Sequence, residues 1–286
     1  MRTGRIVLGS RSPRRLDLLR QIWPAELIDV VPPSSTAEAH FENLHDWPSI
    51  ERRLLEIAAT KCEDVSAQVR KRFVDTAQLW DPNSKTPSPP TPLPQGERGE
   101  DLHMAPPSTN DVDPRTLSPL SPRGRGAGGE GAPGHCPTTA HGNSEPPIIV
   151  TADTIVVVER AGGLLHVLGQ PPADDSWPET VRRWFREDYA GKTHLAATAV
   201  CVERLIAEGA ALREERRSRV VTSRVTFVPD VDHWLDWYLA TGEPRGKAGG
   251  YALQGAGSLF IEKVEGSLSN VVGLPLAELL DMLIRA

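Results

Sequence analysis

Four groups of residues in this chain have types and spacings that could do chemistry. The first is the run "LGSRSPRRLDLL", residues 8–19. A strand-like apolar run stops at Gly9, and Ser10, Ser12 and Pro13 lead into helical spacing at Leu16, Leu18, Leu19 and Ile22. Pro13 suits the first helical position and Ser12 suits the N-cap. Arg14 and Arg15 then fall in the first turn, where the helix dipole disfavours cations by about 0.3–1 kcal/mol at an exposed site. Either both guanidinium groups point into water, or an anion lies there. Serine hydroxyls, free backbone N–H groups and guanidinium forks all suit phosphate oxygens. The run is not a P-loop, because the Walker spacing of glycines and lysine is absent.

The second group is Asp153 in "VTADTIVVV". Strand propensity and burial both disfavour a carboxylate there. It is either a strand-end residue capping a neighbouring loop, or a group that binds a divalent cation or orients a water against a phosphate. Thr154 beside it points to the opposite face of a regular strand. The third group is the glycine-rich stretch 242–275, whose polar residues are Lys247, Gln254, Ser267 and Asn270. Glycine lets a backbone approach a ligand closely, although such stretches are often only turns. The fourth is Lys61, in a helical pattern beside Ala58, Ala59 and Thr60. It is either a plain exposed lysine or a further phosphate-facing cation.

Elements that could position these groups are legible on both sides of a compositional break. Ile50, Leu54, Leu55, Ile57, Ala58, Val65, Val69 and Phe73 predict one helix over 50–75. Residues 147–159 predict a strand, and Gly162-Gly163 turns it into a hairpin with "LLHVLG". Helices are expected over 179–189, over 230–241 with Asp230 or Asp232 as N-cap and Gly242 after it, and over 274–285. "HLAATAVCVERL", "SRVVTSRVTFVP" and "GSLFIEKVEG" read as strands. Strands alternate with helices and hairpins also occur, so the expected class is α/β: a mixed twisted sheet flanked by helices. From Asp81 to about Pro147 the chain is rich in Pro, Gly, Ser and Thr with almost no apolar periodicity. Such a segment cannot offset its ordering entropy. The expectation is one domain, residues 1–75 with 148–286, carrying a long disordered insert at 76–147.

Composition narrows the partners. The formal charge of −6 over 286 residues argues against a nucleic-acid surface. Cys62, Cys136 and Cys201 are far apart and odd in number, which argues against a disulfide framework or zinc site and for a reducing compartment. No apolar run approaches the roughly 18 residues of a membrane span. A strand pattern begins within a few residues of Met1, leaving no room for a signal peptide. The expected location is cytoplasmic.

Taken together, the motifs resemble those of the Maf family of nucleoside triphosphate pyrophosphatases, also called septum-formation proteins. "LGSRSPRRLDLL" is similar to the family's serine-rich opening, and "LLEIAATKCEDV" to its helix ending in Lys-Ala. "TADTIVVV" is similar to its Ala-Asp-Thr strand. "YAGKTHLAATAVCV" resembles its next segment at His194 and Thr198, and residues 242–276 resemble its C-terminal signature throughout. The resemblance implies a Maf/ITPase-like fold and hydrolysis of a nucleoside triphosphate between the α and β phosphates, with Mg²⁺ or Mn²⁺. It implies that Ser10, Arg14, Arg15 and Lys61 hold the triphosphate and that Asp153 is the acidic catalytic residue. Lys247 would line the same cleft, and no metal ligand set is implied. Arg14, Thr154 and Gln254 at the selectivity positions imply the dTTP/UTP type. A homodimer is the assembly the resemblance allows.

The chain departs from the family pattern at three places, one of them the insert at 76–147, which replaces a short loop between Lys61 and Asp153. Gln170 in "LGQPP" stands where the family has lysine, and only a displaced Glu38 could replace an acidic residue expected after the second strand. The latter two departures support an alternative: a catalytically impaired nucleotide-binding regulator of cell division.

Overall fold

The computed structural model describes residues 4–34, 41–78, 146–208 and 211–284, all within one contact unit formed by residues 1–80 and 143–286. Most of the expected insert, together with Glu38 and Cys136, lies outside the described residues. The strands are β1 (Ile6–Gly9), β2 (Ile28–Val30), β3 (Ile148–Arg160), β4 (Leu164–Leu168), β5 (Thr193–Glu208), β6 (Ala211–Phe227) and β7 (Ile261–Glu265). The α-helices are α1 (Pro13–Leu19), α2 (Trp47–Gln78), α3 (Trp177–Arg183), α4 (Asp232–Ala240), α5 (Leu268–Val272) and α6 (Leu276–Ile284). The sheet runs β2-β1-β3-β5-β6-β7, with β4 also paired to β3. β1 is parallel to β2 and β3, and every other pairing is antiparallel. This is the mixed α/β sheet the sequence predicts. Among the described residues, no helix is long and apolar enough to cross a membrane.

β3 organises the molecule. It is apolar on both faces, as befits a strand covered on both sides. Along one edge it pairs with β5 from Ile148 to Val157. Along the other edge β1 takes Ile148–Thr151 and β4 takes Val156–Arg160. Between them, residues 152–155 have no strand neighbour on that edge among the described residues. The sheet opens there, and Asp153 and Thr154 stand in the opening.

Strand alternation decides which helix each of them meets. Ile149, Ile155 and Val157 pack beneath α2, against a stripe that includes Leu54, Ala58, Cys62 and Val65. Ile148, Val150 and Ala152 pack on the other face with Leu18 and Leu19 of α1 and Leu279 and Leu283 of α6. Asp153 therefore faces α2, and Thr154 faces α1. Burial contributes roughly 1.5–3 kcal/mol per Leu or Val side chain, so this stripe holds α2 in a single register on the sheet. Gly9 permits the close pass of β1: a Cβ there would lie 2.5 Å from Thr151 Cγ2 and 2.8 Å from Val65 Cγ2.

Several boundaries differ from the sequence expectation. The helix expected over 179–189 leaves α-geometry after Arg183 and continues as a π-helical turn, Trp184–Tyr189, which buries Trp184, Phe185, Asp188 and Tyr189. α4 starts at Asp232 with Val231 at the N-cap and no side-chain cap bond, so neither Asp230 nor Asp232 is the cap; the Asp232 carboxylate accepts from Arg186 Nε at 2.7 Å instead. Residues 256–260 form a 3₁₀ turn, and only Ile261–Glu265 pairs as a strand. The last helix begins at Leu276, after the separate short helix α5.

Candidate active site

Asp153 lies inside β3, not at its end, which removes the reading of a loop cap. The register that buries Ala58, Cys62 and Val65 of α2 places Ile57 and Lys61 at the opening. Lys61 Nζ donates to Asp153 Oδ1. The two side chains are 30% and 20% exposed, so Lys61 is a partly buried ion-pair member rather than a solvated helix lysine.

The two arginines of α1 have separate tasks. Ser12 occupies the N-cap, but its hydroxyl makes no cap bond; Ser10 Oγ accepts from the Ser12 N–H at 3.1 Å instead. Arg15 turns back into the fold. Its Nε donates to the Gly273 carbonyl at 2.8 Å, its Nη2 to Thr154 Oγ1 at 3.0 Å and its Nη1 to Ser10 Oγ at 3.4 Å. Thr154 Oγ1 is 3.0 Å from Thr198 Oγ1, which donates to the Asn270 carbonyl at 3.1 Å. Arg15 is thus a brace between β3 and the turn after α5, and burial pulls its guanidinium below the ordinary value. Arg14 lines the opening and has no hydrogen-bond or ion-pair partner among the described residues.

The glycine-rich stretch supplies the facing wall. Lys247 Nζ donates to the Glu243 carbonyl oxygen. Burial, and then the nearby charge of Arg14, hold the Lys247 ammonium below its ordinary value. Tyr251 also lines the wall, and its hydroxyl is 2.8 Å from His194 Nε2. His194 is buried, and burial pushes its imidazole down to about 3. The folded protein therefore keeps His194 neutral while the unfolded chain takes up a proton below about pH 6.5. Stability is expected to fall by about 1.4 kcal/mol per pH unit as the pH drops from there toward the folded value. His194→Gln is expected to flatten the Tm–pH curve over that range; an unchanged slope would assign the dependence to other groups.

One cavity of about 460 Å³ joins these parts. Ser10, Arg14, Arg15, Lys61, Asp153, Thr154, Lys247 and Gln254 all line it, and so does Gln170. Arg11, Phe41 and Tyr251 line it as well, and sequence reasoning did not single them out. Arg11 was detectable as the third arginine of the same short run; its Nη2 donates to the Pro33 carbonyl at 2.9 Å. Phe41 and Tyr251 carried no comparable signal. The described lining holds five cations, Arg11, Arg14, Arg15, Lys61 and Lys247, around one carboxylate, Asp153. Like charges gathered at this density favour a strongly anionic ligand.

A sheet parted along one edge of its central strand, with a cation-rich cavity in the parting, defines a mixed α/β protein with a candidate site for anions. More particularly, the chain belongs to the Maf-like protein family, whose sequence model matches residues 132–286. Among its relatives are proteins named dTTP/UTP pyrophosphatase. That of Anaeromyxobacter dehalogenans (strain 2CP-1 / ATCC BAA-258) is 47% identical over 140 residues, covering 49% of this chain and 64% of that protein. That of Nitratidesulfovibrio vulgaris (strain Hildenborough) is 39% identical over 138 residues, covering 48% and 58%. That of Neisseria meningitidis serogroup A (strain Z2491) is 38% identical over 135 residues, covering 47% and 58%. The matches span less than two thirds of these relatives' lengths. The family match begins after β1, α1 and α2, yet the fold brings Ser10, Arg14, Arg15 and Lys61 from that earlier part into the same cavity.

Proposed function

We propose that the chain is a nucleoside triphosphate pyrophosphatase of the dTTP/UTP type. The observation that carries this reading is the gathering of four further cations, Arg11, Arg14, Arg15 and Lys247, around the Lys61–Asp153 pair in one cavity. A triphosphate tail supplies the missing anion. Water adds across the anhydride between the α and β phosphoryl groups, and the nucleoside monophosphate and pyrophosphate separate. Asp153 takes up the proton that the water releases. Arg14, Lys61 and Lys247 bind the phosphates and stabilise charge on the departing pyrophosphate, where preorganised cations count most. Arg15, braced by Thr154 and Gly273, keeps Ser10 and the start of α1 in place. Arg14 and Gln254, at the cavity wall, are the candidates for reading the base.

A divalent cation fits this site in a restricted way. Among the described residues no group of three or more His, Cys, Asp or Glu side chains could hold a metal ion. Asp153 would therefore hold Mg²⁺ or Mn²⁺ together with the substrate's phosphates, a common arrangement for Mg²⁺. Bound there, the ion would offset phosphate charge.

The reading is tested by pyrophosphate release across a panel of nucleoside triphosphates with Mg²⁺ or Mn²⁺. Preferential turnover of dTTP and UTP is expected. Gln170, an uncharged amide in the cavity wall where the family pattern expects lysine, favours a second reading, a regulator that binds nucleotide without cleaving it. Tight nucleotide binding with no pyrophosphate released from any nucleotide would establish that second reading and overturn the first.

A further inference from the structure

Residues 242–257 reach the cavity in two runs, 246–248, which carries Lys247, and 251–254, which carries Tyr251 and Gln254. Between α4 and the 3₁₀ turn they pass through left-handed glycines at Gly242, Gly246, Gly249 and Gly250. Glycines of this kind permit the path but do not fix it. Glu243 does. Its Oε2 accepts from the Ala256 N–H at 2.7 Å and its Oε1 from the Gly257 N–H at 3.1 Å. The Tyr238 hydroxyl lies 3.4 Å from Oε1, and the Glu243 N–H donates to Thr241 Oγ1 at 3.1 Å. Its backbone carbonyl takes the Lys247 ammonium. One residue therefore ties the loop at both ends. Ala256 and Gly257 open the 3₁₀ turn, so their N–H groups have no partner within it, and a carboxylate meets them with charge-assisted bonds. Gly255 leaves the room: a Cβ there would lie 2.5 Å from Glu243 Oε2.

We propose that Glu243 is a positioning residue that sets the spacing between Lys247 and Gln254, and through that spacing the discrimination between nucleotide bases. The inference rests on the nucleotide reading of the cavity. Glu243 is not among the described lining residues, so it acts through the side chains its loop presents, of which Lys247 and Gln254 are the polar ones proposed to meet phosphate and base.

Two variants test it from opposite sides. Glu243→Gln keeps one acceptor but turns an amide NH₂ toward a backbone N–H. Gly255→Ala keeps the glutamate and pushes its flexible carboxylate end off the two amides. The measurements are amide hydrogen exchange at Ala256 and Gly257, and calorimetric binding of dTTP, dCTP and inorganic tripolyphosphate. Both variants are expected to lose about ten-fold or more of the exchange protection at these amides, the scale of a lost charge-assisted bond. The preference for dTTP over dCTP is expected to fall to that of Gln254→Ala. Adding Gln254→Ala to either variant is expected to cause no further loss, as for residues acting through one another. Tripolyphosphate, which has no base, is expected to bind more weakly through Lys247 alone. A wild-type protein that discriminates between the bases and variants that lose protection yet keep the discrimination would overturn the proposal. Unchanged protection in both variants would overturn it as well. A wild-type protein that binds neither nucleotide nor tripolyphosphate would instead overturn the nucleotide reading beneath it.

Discussion

Asp153→Asn is expected to lower kcat by about 10²–10⁴-fold, the range of a lost general base, equivalent to about 2.7–5.5 kcal/mol of transition-state stabilisation. The substitution is nearly isosteric, and β3 holds residue 153 through its pairing with Ala199 of β5, so the fold has little reason to change. The sign of the binding effect separates chemistry from structure. Asp153 is the one carboxylate among the described lining residues, and in the proposed reaction it would face an anionic substrate. Removing its charge also frees Lys61 to meet a phosphate. Nucleotide affinity without a divalent cation is therefore expected to hold or rise while turnover collapses. Stopped-flow pyrophosphate release together with calorimetric Kd would measure the two separately. A variant retaining more than about a tenth of wild-type kcat would exclude Asp153 as the base. Equal losses in affinity and rate would point to a disturbed cavity instead.

Much of the frame was legible because local signals agreed with the tertiary structure. Pro13 at the start of α1, the apolar stripe of α2 and the double-glycine hairpin after β3 each carry a mechanism that acts within a few residues. The opposite facing of Asp153 and Thr154 followed from strand period alone, and the structure gives them Lys61 and Arg15 as separate partners. Where the reading stopped short, a long-range pairing overrode local preference. β6 starts at Ala211, through the charged run 213–219, which has weak strand propensity. Pairing with β5 holds it, as in Glu203↔Arg216 and Arg204↔Glu215. The strand expected across 257–266 loses its first residues to the 3₁₀ turn, whose start is held by Glu243, thirteen residues before Ala256, through the Ala256 and Gly257 amides.

The candidate site was legible for a different reason. Its charged residues sit where local propensity disfavours them: two arginines at a helix start and an aspartate inside an apolar strand. Their division of labour was not legible. Nothing in "SPRR" indicates that Arg15 turns inward to the Gly273 carbonyl, 258 residues away, while Arg14 stays unpaired among the described residues. That difference depends on α5 packing beside α1, which the glycine-rich sequence around it concealed.

Arg216→Ala is expected to destabilise the protein by about 3–5 kcal/mol, the cost of leaving a buried charge without its partner. Glu203 is completely buried, and Arg216 meets its Oε2 with Nε at 2.9 Å and Nη2 at 2.7 Å. Ser66 donates to the other oxygen, and Arg70 Nη2 lies 3.6 Å from it. Without Arg216 that carboxylate retains, among the described residues, the Ser66 hydroxyl and one partial ion pair with Arg70. Thermal unfolding is expected to fall by roughly 10 °C, given about 2–4 °C per kcal/mol for a domain of this size. Arg216→Lys keeps the charge but cannot form the fork, so an intermediate loss is expected. Replacing the pair together, Arg216→Met with Glu203→Leu, is expected to recover at least half of the loss, because packed apolar side chains remove the need for compensation. A double variant no more stable than Arg216→Ala would show that the pair is needed for its geometry rather than for charge balance. Ser66 and Arg70 lie on α2, whose preceding turn carries Lys61. The pair therefore clamps the helix that delivers a cation to the cavity without itself being among the described lining residues. Below its lowered melting temperature, Arg216→Ala is accordingly expected to keep kcat within about ten-fold of wild type. A larger fall would mean that the register of α2 over Asp153 depends on this clamp as well as on its apolar stripe.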